Sequence, residues 1–308
     1  MHSVASQDYY KKGNGLTDEM HVRDLRLLEE MGGNFLRISH YPQDPMVTEF
    51  CDRNGIVASV EIPIVNNITM SEAFRQNGVD MATEMVWQDY NSPSVVMWAY
   101  MNEPLLHRPY DMKPQIKEEY FAAICGVASS IENTIRSLDP KRYTMMVYHS
   151  SVGVYAESGL MDIPMVLGWN VYWGWYSNDL HRVMEKFRRN QGYAPDKAFL
   201  VTEYGADADP RVHSLEPSIY DYSCEYATVF HRKYIDAILS NDFVAGSNVW
   251  NLNDFYSEKR TMSQPRVNNK GLTTLTREKK DVYYLYEALL KKDPVLHIGA
   301  SLWQNRAG

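Results

Sequence analysis

The chain of 308 residues predicts a parallel (β/α)8 barrel in the α/β class, on three observations. Short apolar, β-branched or aromatic runs recur along it, each followed by a polar stretch of helical period. These runs are too apolar to leave either sheet face to water, which is the habit of buried parallel strands. The rival, an open doubly wound sheet, calls for a phosphate-cradling G-x-G-x-x-G turn after the first strand, and that turn is missing. The strand candidates are HSVAS (2–6), NFLRIS (34–39), IVASVEI (56–62), VVMWAYM (95–101), RYTMMVY (142–148), MVLGWNVY (165–172), AFLVTEY (198–204) and VAGSNVW (244–250). Helix candidates run from Thr17 to Met31, Ser71 to Tyr90, Gln115 to Leu138, Asn178 to Asn190, Tyr220 to Leu239 and Lys280 to Leu290, with shorter ones after the second and fifth strands. With no repeat beyond this alternation and no low-complexity linker, residues 1–308 read as one domain.

Composition narrows the function. A net charge of −8 and few clustered Lys and Arg argue against nucleic acid or an anionic membrane surface as partner, and favour a neutral or small polar ligand. No stretch approaches the roughly 18 apolar residues that cross a bilayer as a helix. Cys51, Cys125 and Cys224 are odd in number and far apart, so they read as buried thiols and not as a zinc site or disulfide framework. Asp207 and Asp209 in GADADP could suggest a metal, but turn chemistry beside a proline explains them more simply, and no metal is expected.

In a (β/α)8 barrel the working groups stand at the C-terminal ends of the strands. Those ends here carry Arg37 and His40, Glu61, Asn102 and Glu103, Asn170 and Tyr172, Glu203, and Trp250 and Asn251. Of the carboxylates among them, Glu103 and Glu203 belong to the fourth and seventh expected strands, which a closed barrel sets across the mouth from each other. That is the arrangement glycoside cleavage needs: one carboxylic acid to protonate the leaving oxygen, and one carboxylate about 5–5.5 Å away to attack the anomeric carbon with retention. Different surroundings can hold one group protonated and the other ionised. Asn102, next to Glu103, is placed to bond a sugar hydroxyl, and Arg37 to keep Glu203 ionised. For either Glu alone, a structural ion pair at the rim is an equal reading. The aromatic run GWNVYWGWY (168–176) can fill the core or stack on sugar rings, and both readings stay open.

RISHYP (37–42), FCDRNGIVASVEIP (50–63), YNSPSVVMWAYMNEP (90–104), GWNVYWGWY (168–176), VTEYGAD (201–207), VWNLNDF (249–255) and NNKGL (268–272) together resemble the catalytic (β/α)8 domain of glycoside hydrolase family 2, the β-galactosidase and β-glucuronidase family, in its order and spacing. The resemblance implies Glu103 as acid/base and Glu203 as nucleophile, with no metal or organic cofactor. It also implies sugar contacts at His40, Asn102, Tyr172 and Trp250, Tyr172 alternatively supporting the nucleophile. Asn268 and Lys270 resemble the loop with which β-glucuronidases hold the substrate carboxylate, although galactosidase-like members carry similar residues there. The family's usual His at the end of the first strand is replaced by Ser6.

Family members also carry β-sandwich domains before the barrel, so the chain is expected to be the catalytic portion of a larger enzyme, with those accessory domains as partners in the parent chain and a homo-oligomer left open. The expected activity is a retaining exo-β-glycosidase acting on a terminal sugar, β-galactosidase first and β-glucuronidase as its nearest rival. A carbohydrate-binding barrel without turnover and an endo-glycanase are the other readings. A periplasmic or secreted location is favoured over the cytoplasm.

Overall fold

A computed structural model of the chain describes residues 15–258, 260–261 and 264–299. Seven parallel strands lie side by side in chain order: β1 (Phe35–Ile38), β2 (Val57–Val65), β3 (Val95–Asn102), β4 (Tyr143–His149), β5 (Val166–Asn170), β6 (Ala198–Glu203) and β7 (Val244–Ser247). The strand expected at 2–6, and Ser6 with it, falls outside the described residues. Helices alternate with the strands: α1 (Asp18–Glu30), α2 (Pro45–Asn54), α3 (Glu72–Asp89), α4 (Lys117–Leu138), α5 (Val152–Ser158), α6 (Val183–Gln191), α7 (Cys224–Leu239) and α8 (Asp281–Leu290). The two short helices expected after the second and fifth strands are α2 and α5. A small antiparallel pair, β8 (Phe255–Tyr256) and β9 (Val267–Asn268), follows β7.

Strand alternation explains why nearly all of β3 is buried. Met97 and Ala99 join Met145, Val147, Val166 and Leu200 in one apolar cluster, while Trp98 and Tyr100 belong to the larger core shared with the helices. On that side the Trp98 indole donates to Asp139 at 3.1 Å and the Tyr100 hydroxyl to Glu132 at 2.7 Å, so the polar atoms of both large rings are satisfied.

Some expected boundaries shift for local reasons. The helix expected from Tyr220 begins at Cys224, because Ser223 caps it by accepting the Tyr226 N–H at 3.0 Å and Tyr220 and Tyr222 hold positive φ of 65° and 59°. The helix expected from Asn178 opens as a 3₁₀ turn over Leu180–Arg182. Regular pairing of β7 stops at Ser247, yet the Asn248 N–H still reaches Val201 O at 2.7 Å and the Trp250 N–H reaches Tyr204 O at 3.0 Å.

Two irregularities of the sheet decide where side chains point. Between Ala99 and Asn102, β3 carries one residue more than β4 does between Met145 and Val147. Between Val201 and Glu203, β6 likewise carries one more than β5 does between Trp169 and Asn170. Such bulges bend a strand end and re-aim its side chains. Met101 and Glu103, with φ of 63° and 50°, hold backbone conformations that side-chain-bearing residues seldom adopt, a cost that persists only where the surroundings impose it.

Candidate active site

The bulged strand ends converge on Arg37, the last but one residue of β1, which is fully buried. A buried guanidinium must spend its donors on carboxylates or carbonyls. Arg37 Nη2 donates to Glu61 Oε2 at 2.8 Å and to Asn102 Oδ1 at 3.0 Å, and Nη1 donates to Glu203 Oε1 at 2.8 Å. One side chain of β1 therefore ties together the middle of β2 and the ends of β3 and β6.

Most of the other expected residues stand around this hub. His40 Nδ1 lies 3.0 Å from Glu61 Oε1, and its ring stacks on Trp250 with centroids 5.2 Å apart. Asn170 Nδ2 donates to Asn102 Oδ1 at 3.0 Å and to Glu103 Oε1 at 2.9 Å, while Thr202 Oγ1 holds Asn170 Oδ1 at 2.9 Å. The Tyr172 hydroxyl donates to Glu203 Oε2 at 2.7 Å. Arg37, His40, Asn102, Glu103, Asn170, Tyr172, Glu203 and Trp250 thus form one connected cluster. Asn268 and Lys270 stand next to it: Asn268 Oδ1 accepts the Lys270 backbone N–H at 3.2 Å, and Lys270 Nζ lies 5.9 Å from the centre of the Tyr172 ring.

The two candidate carboxylates have different surroundings. Among the described residues Glu103 has a single hydrogen-bond donor, Asn170, and burial together with the nearby negative charge of Glu203 raises its pKa to about 7. Glu203 meets Arg37 on one oxygen and Tyr172 on the other. Burial works against ionisation of Glu61 as well, but Arg37 and His40 outweigh it and hold that carboxyl below its ordinary range.

Part of the aromatic run fills the core. Trp169, Trp173 and Trp175 are buried in the core, Trp169 against Tyr148 and Phe199 and Trp175 against Tyr220 and Tyr222, whereas Tyr172 and the half-exposed Tyr176 lie against each other beside Lys270. Asp209 pairs with Arg211 and Asp207 with Lys270, which accounts for the acidic pair of GADADP.

Residue reasoning gave no role to Glu61, Thr202 or Asp207. Glu61 carried a signal, a carboxylate in an apolar strand, but β2 runs on past it to Val65 and its pairing with Arg37 is a tertiary fact. A cavity of about 610 Å³, lined by Phe35, Val57, Met97, Tyr143 and Leu200, lies at the opposite ends of the strands and takes in none of these groups.

Comparison with known proteins agrees with this architecture. The model of glycosyl hydrolases family 2, TIM barrel domain, matches residues 5–292. A β-glucuronidase of Bacteroides fragilis is 29% identical over 322 aligned positions, covering 97% of this chain and 42% of the relative. A β-glucuronidase of Streptococcus agalactiae is 29% identical, covering 90% and 47%. Among solved structures, Bacteroides uniformis β-glucuronidase 2 covalently bound to cyclophellitol-6-carboxylate aziridine superposes with a TM-score of 0.91 at 39% identity, covering 96% of this chain and 36% of that one. The chain spans less than half the length of these proteins. With the strand order, the strand-end cluster and a family match over nearly its whole length, the chain belongs to glycosyl hydrolase family 2, whose TIM barrel domain it carries.

Proposed function

We propose that the chain is the catalytic barrel of a retaining exo-β-glucuronidase. The observation that carries this reading is the unequal treatment of two carboxyls in one cluster: Glu103 raised to about 7 and Glu203 held by Arg37 and Tyr172. In the first step Glu103 gives its proton to the glycosidic oxygen as a Glu203 carboxylate oxygen bonds to the anomeric carbon, and the carbon–oxygen bond to the aglycone breaks. In the second, Glu103, now a carboxylate, takes a proton from water as that water displaces Glu203 from the sugar. Asn102 Oδ1 is already taken by Arg37 and Asn170, which leaves its amide N–H groups to donate to a sugar hydroxyl.

The expected preference for galactosides gives way to glucuronides on two grounds. The relatives above are named β-glucuronidases, one of them bearing a carboxylate-containing covalent ligand. Lys270 also sets an ammonium beside Tyr172, close to where a sugar seated on Glu203 would extend. The reading of residues 1–308 as one catalytic domain within a larger enzyme belongs to the same proposal, supported by the chain's share of its relatives' length.

Hydrolysis of 4-nitrophenyl β-D-glucuronide should exceed that of the matched β-D-galactoside in kcat/KM by about a hundredfold or more, since a site built for a charged group penalises its absence. A 2-deoxy-2-fluoro glucuronosyl fluoride should add its mass to the peptide containing Glu203. Preferential galactoside cleavage would reverse the substrate assignment, and labelling of another residue would remove Glu203 from the nucleophile's role.

A further inference from the structure

β4 ends at His149, beside the residues that hold the candidate acid. Glu103 donates its backbone N–H to Val147 O at 2.8 Å, and His149 lies opposite Asn170, whose amide bonds Glu103. Residues paired across neighbouring strands share a face of the sheet, so His149 projects to the same side as Asn170, at the mouth of the barrel. The rest of β4 agrees: Met145 and Val147 sit in the apolar cluster with Met97 and Ala99, whereas Met146 and Tyr148 belong to the core shared with the helices.

The partners of the ring fix where its proton lies. His149 Nδ1 meets the hydroxyl of Tyr155, a fully buried residue of α5. That hydroxyl accepts the backbone N–H of His149 at 3.5 Å and the backbone N–H of Leu105, two residues beyond Glu103. A phenol has one proton to give and two lone pairs with which to accept. Both lone pairs being taken, the Tyr155 proton goes to Nδ1, and a neutral imidazole then carries its own proton on Nε2. Burial and the nearby charge of Arg108 push the ring's pKa down to about 4, which keeps it neutral. Nε2 lies across the ring from Tyr155, and the ring is only partly buried.

In the proposed reaction Glu103 meets the glycosidic oxygen, so a donor anchored beside Glu103 through Asn170 and Leu105 borders the departing group. We propose that His149, held by Tyr155 with its proton on Nε2, donates to an oxygen of the leaving group and so favours glycosides whose leaving group is itself a sugar or another polyhydroxylated unit. This inference rests on the proposed roles of Glu103 and Glu203 and not on which terminal sugar is cleaved.

The test compares kcat/KM for a glucuronosyl disaccharide and for cyclohexyl β-D-glucuronide, whose leaving group has the size of a hexose ring but no further oxygen. Galactosyl counterparts replace both if the wild type cleaves galactosides instead. His149→Asn keeps an oxygen to accept from Tyr155 but places no donor at Nε2, so the disaccharide-to-cyclohexyl ratio should fall about tenfold or more, the size of one lost hydrogen bond. His149→Gln, whose amide N–H2 reaches the Nε2 position, should keep most of that ratio. A merely structural His149 slows both substrates alike and leaves the ratio unchanged, and that result would overturn the proposal while leaving the glycosidase reading intact. Nitrogen-15 NMR of the wild-type histidines, with the His149 signal identified by its loss in His149→Asn, should show the proton on Nε2; a proton on Nδ1 would overturn the proposal as well. If the wild type turns over neither pair, the glycosidase reading fails first, and calorimetric binding of the two glycosides then decides: a disaccharide advantage lost in His149→Asn sustains the role of His149, while no advantage, or no binding of either, refutes it.

Discussion

Glu103 is held by one amide and a buried setting, and its behaviour with pH follows from that. With its pKa near 7, the acid form that a leaving group needs is present below that value and lost as pH rises through it, so kcat/KM should fall on the alkaline side of about pH 7. Glu103→Gln should remove that limb for activated aryl substrates while slowing poor leaving groups by roughly 10²–10⁴-fold, and a pH series on two substrates of different leaving-group acidity checks both. Equal losses on the two substrates would contradict an acid/base role. At this scale much could be read from the sequence, since Glu103 and Glu203 end apolar strands where an unpartnered charge would be costly. Glu61 lies on an apolar strand too, but its ion pair with Arg37 depends on β1 lying beside β2 in register, which local pattern does not encode.

The elements deliver these residues through bulges, and a glycine guards one of them. A Cβ on Gly168, in β5, would come within 2.7 Å of Thr202 Cγ2 and 3.0 Å of Val147 Cγ2. Thr202 is the residue that orients Asn170, which in turn bonds Glu103. Gly168→Ala should therefore cost about 1–3 kcal/mol by overpacking and lower kcat/KM although residue 168 touches no substrate. Denaturant melts and steady-state kinetics on one preparation measure both, and wild-type kinetics in a destabilised variant would break the link from Thr202 to the site. Strand and helix positions were legible from periodicity, apart from the segments outside the described residues. The extra residues in β3 and β6 were not, because a bulge shows itself only against the neighbouring strand. The start of α7 at Cys224 was missed because Tyr220 and Tyr222 continue an apolar pattern that their positive φ breaks.

Across the whole molecule, Arg37 reaches from β1 to Glu203 on β6, a pairing 166 residues apart in the chain. Replacing it with Met would leave Glu61 and Glu203 buried without their cation, at a cost of about 3–5 kcal/mol, which urea denaturation would register as a lower midpoint. An unchanged midpoint would show that water reaches those carboxylates. The barrel itself was readable as a rhythm of strands and helices, whereas the surroundings of Tyr172 were not, since they are built by side chains from separate loops. The order of the strands has a practical outcome as well. A cut in the exposed turn at Pro195–Asp196, between α6 and β6, would put Arg37, Glu103 and Asn170 on one piece and Glu203, Trp250 and Lys270 on the other. Each piece would hold half of the proposed acid–nucleophile couple and be silent alone, so fused to two interacting proteins they would form a split reporter whose hydrolysis of a chromogenic glycoside signals that the pair has met.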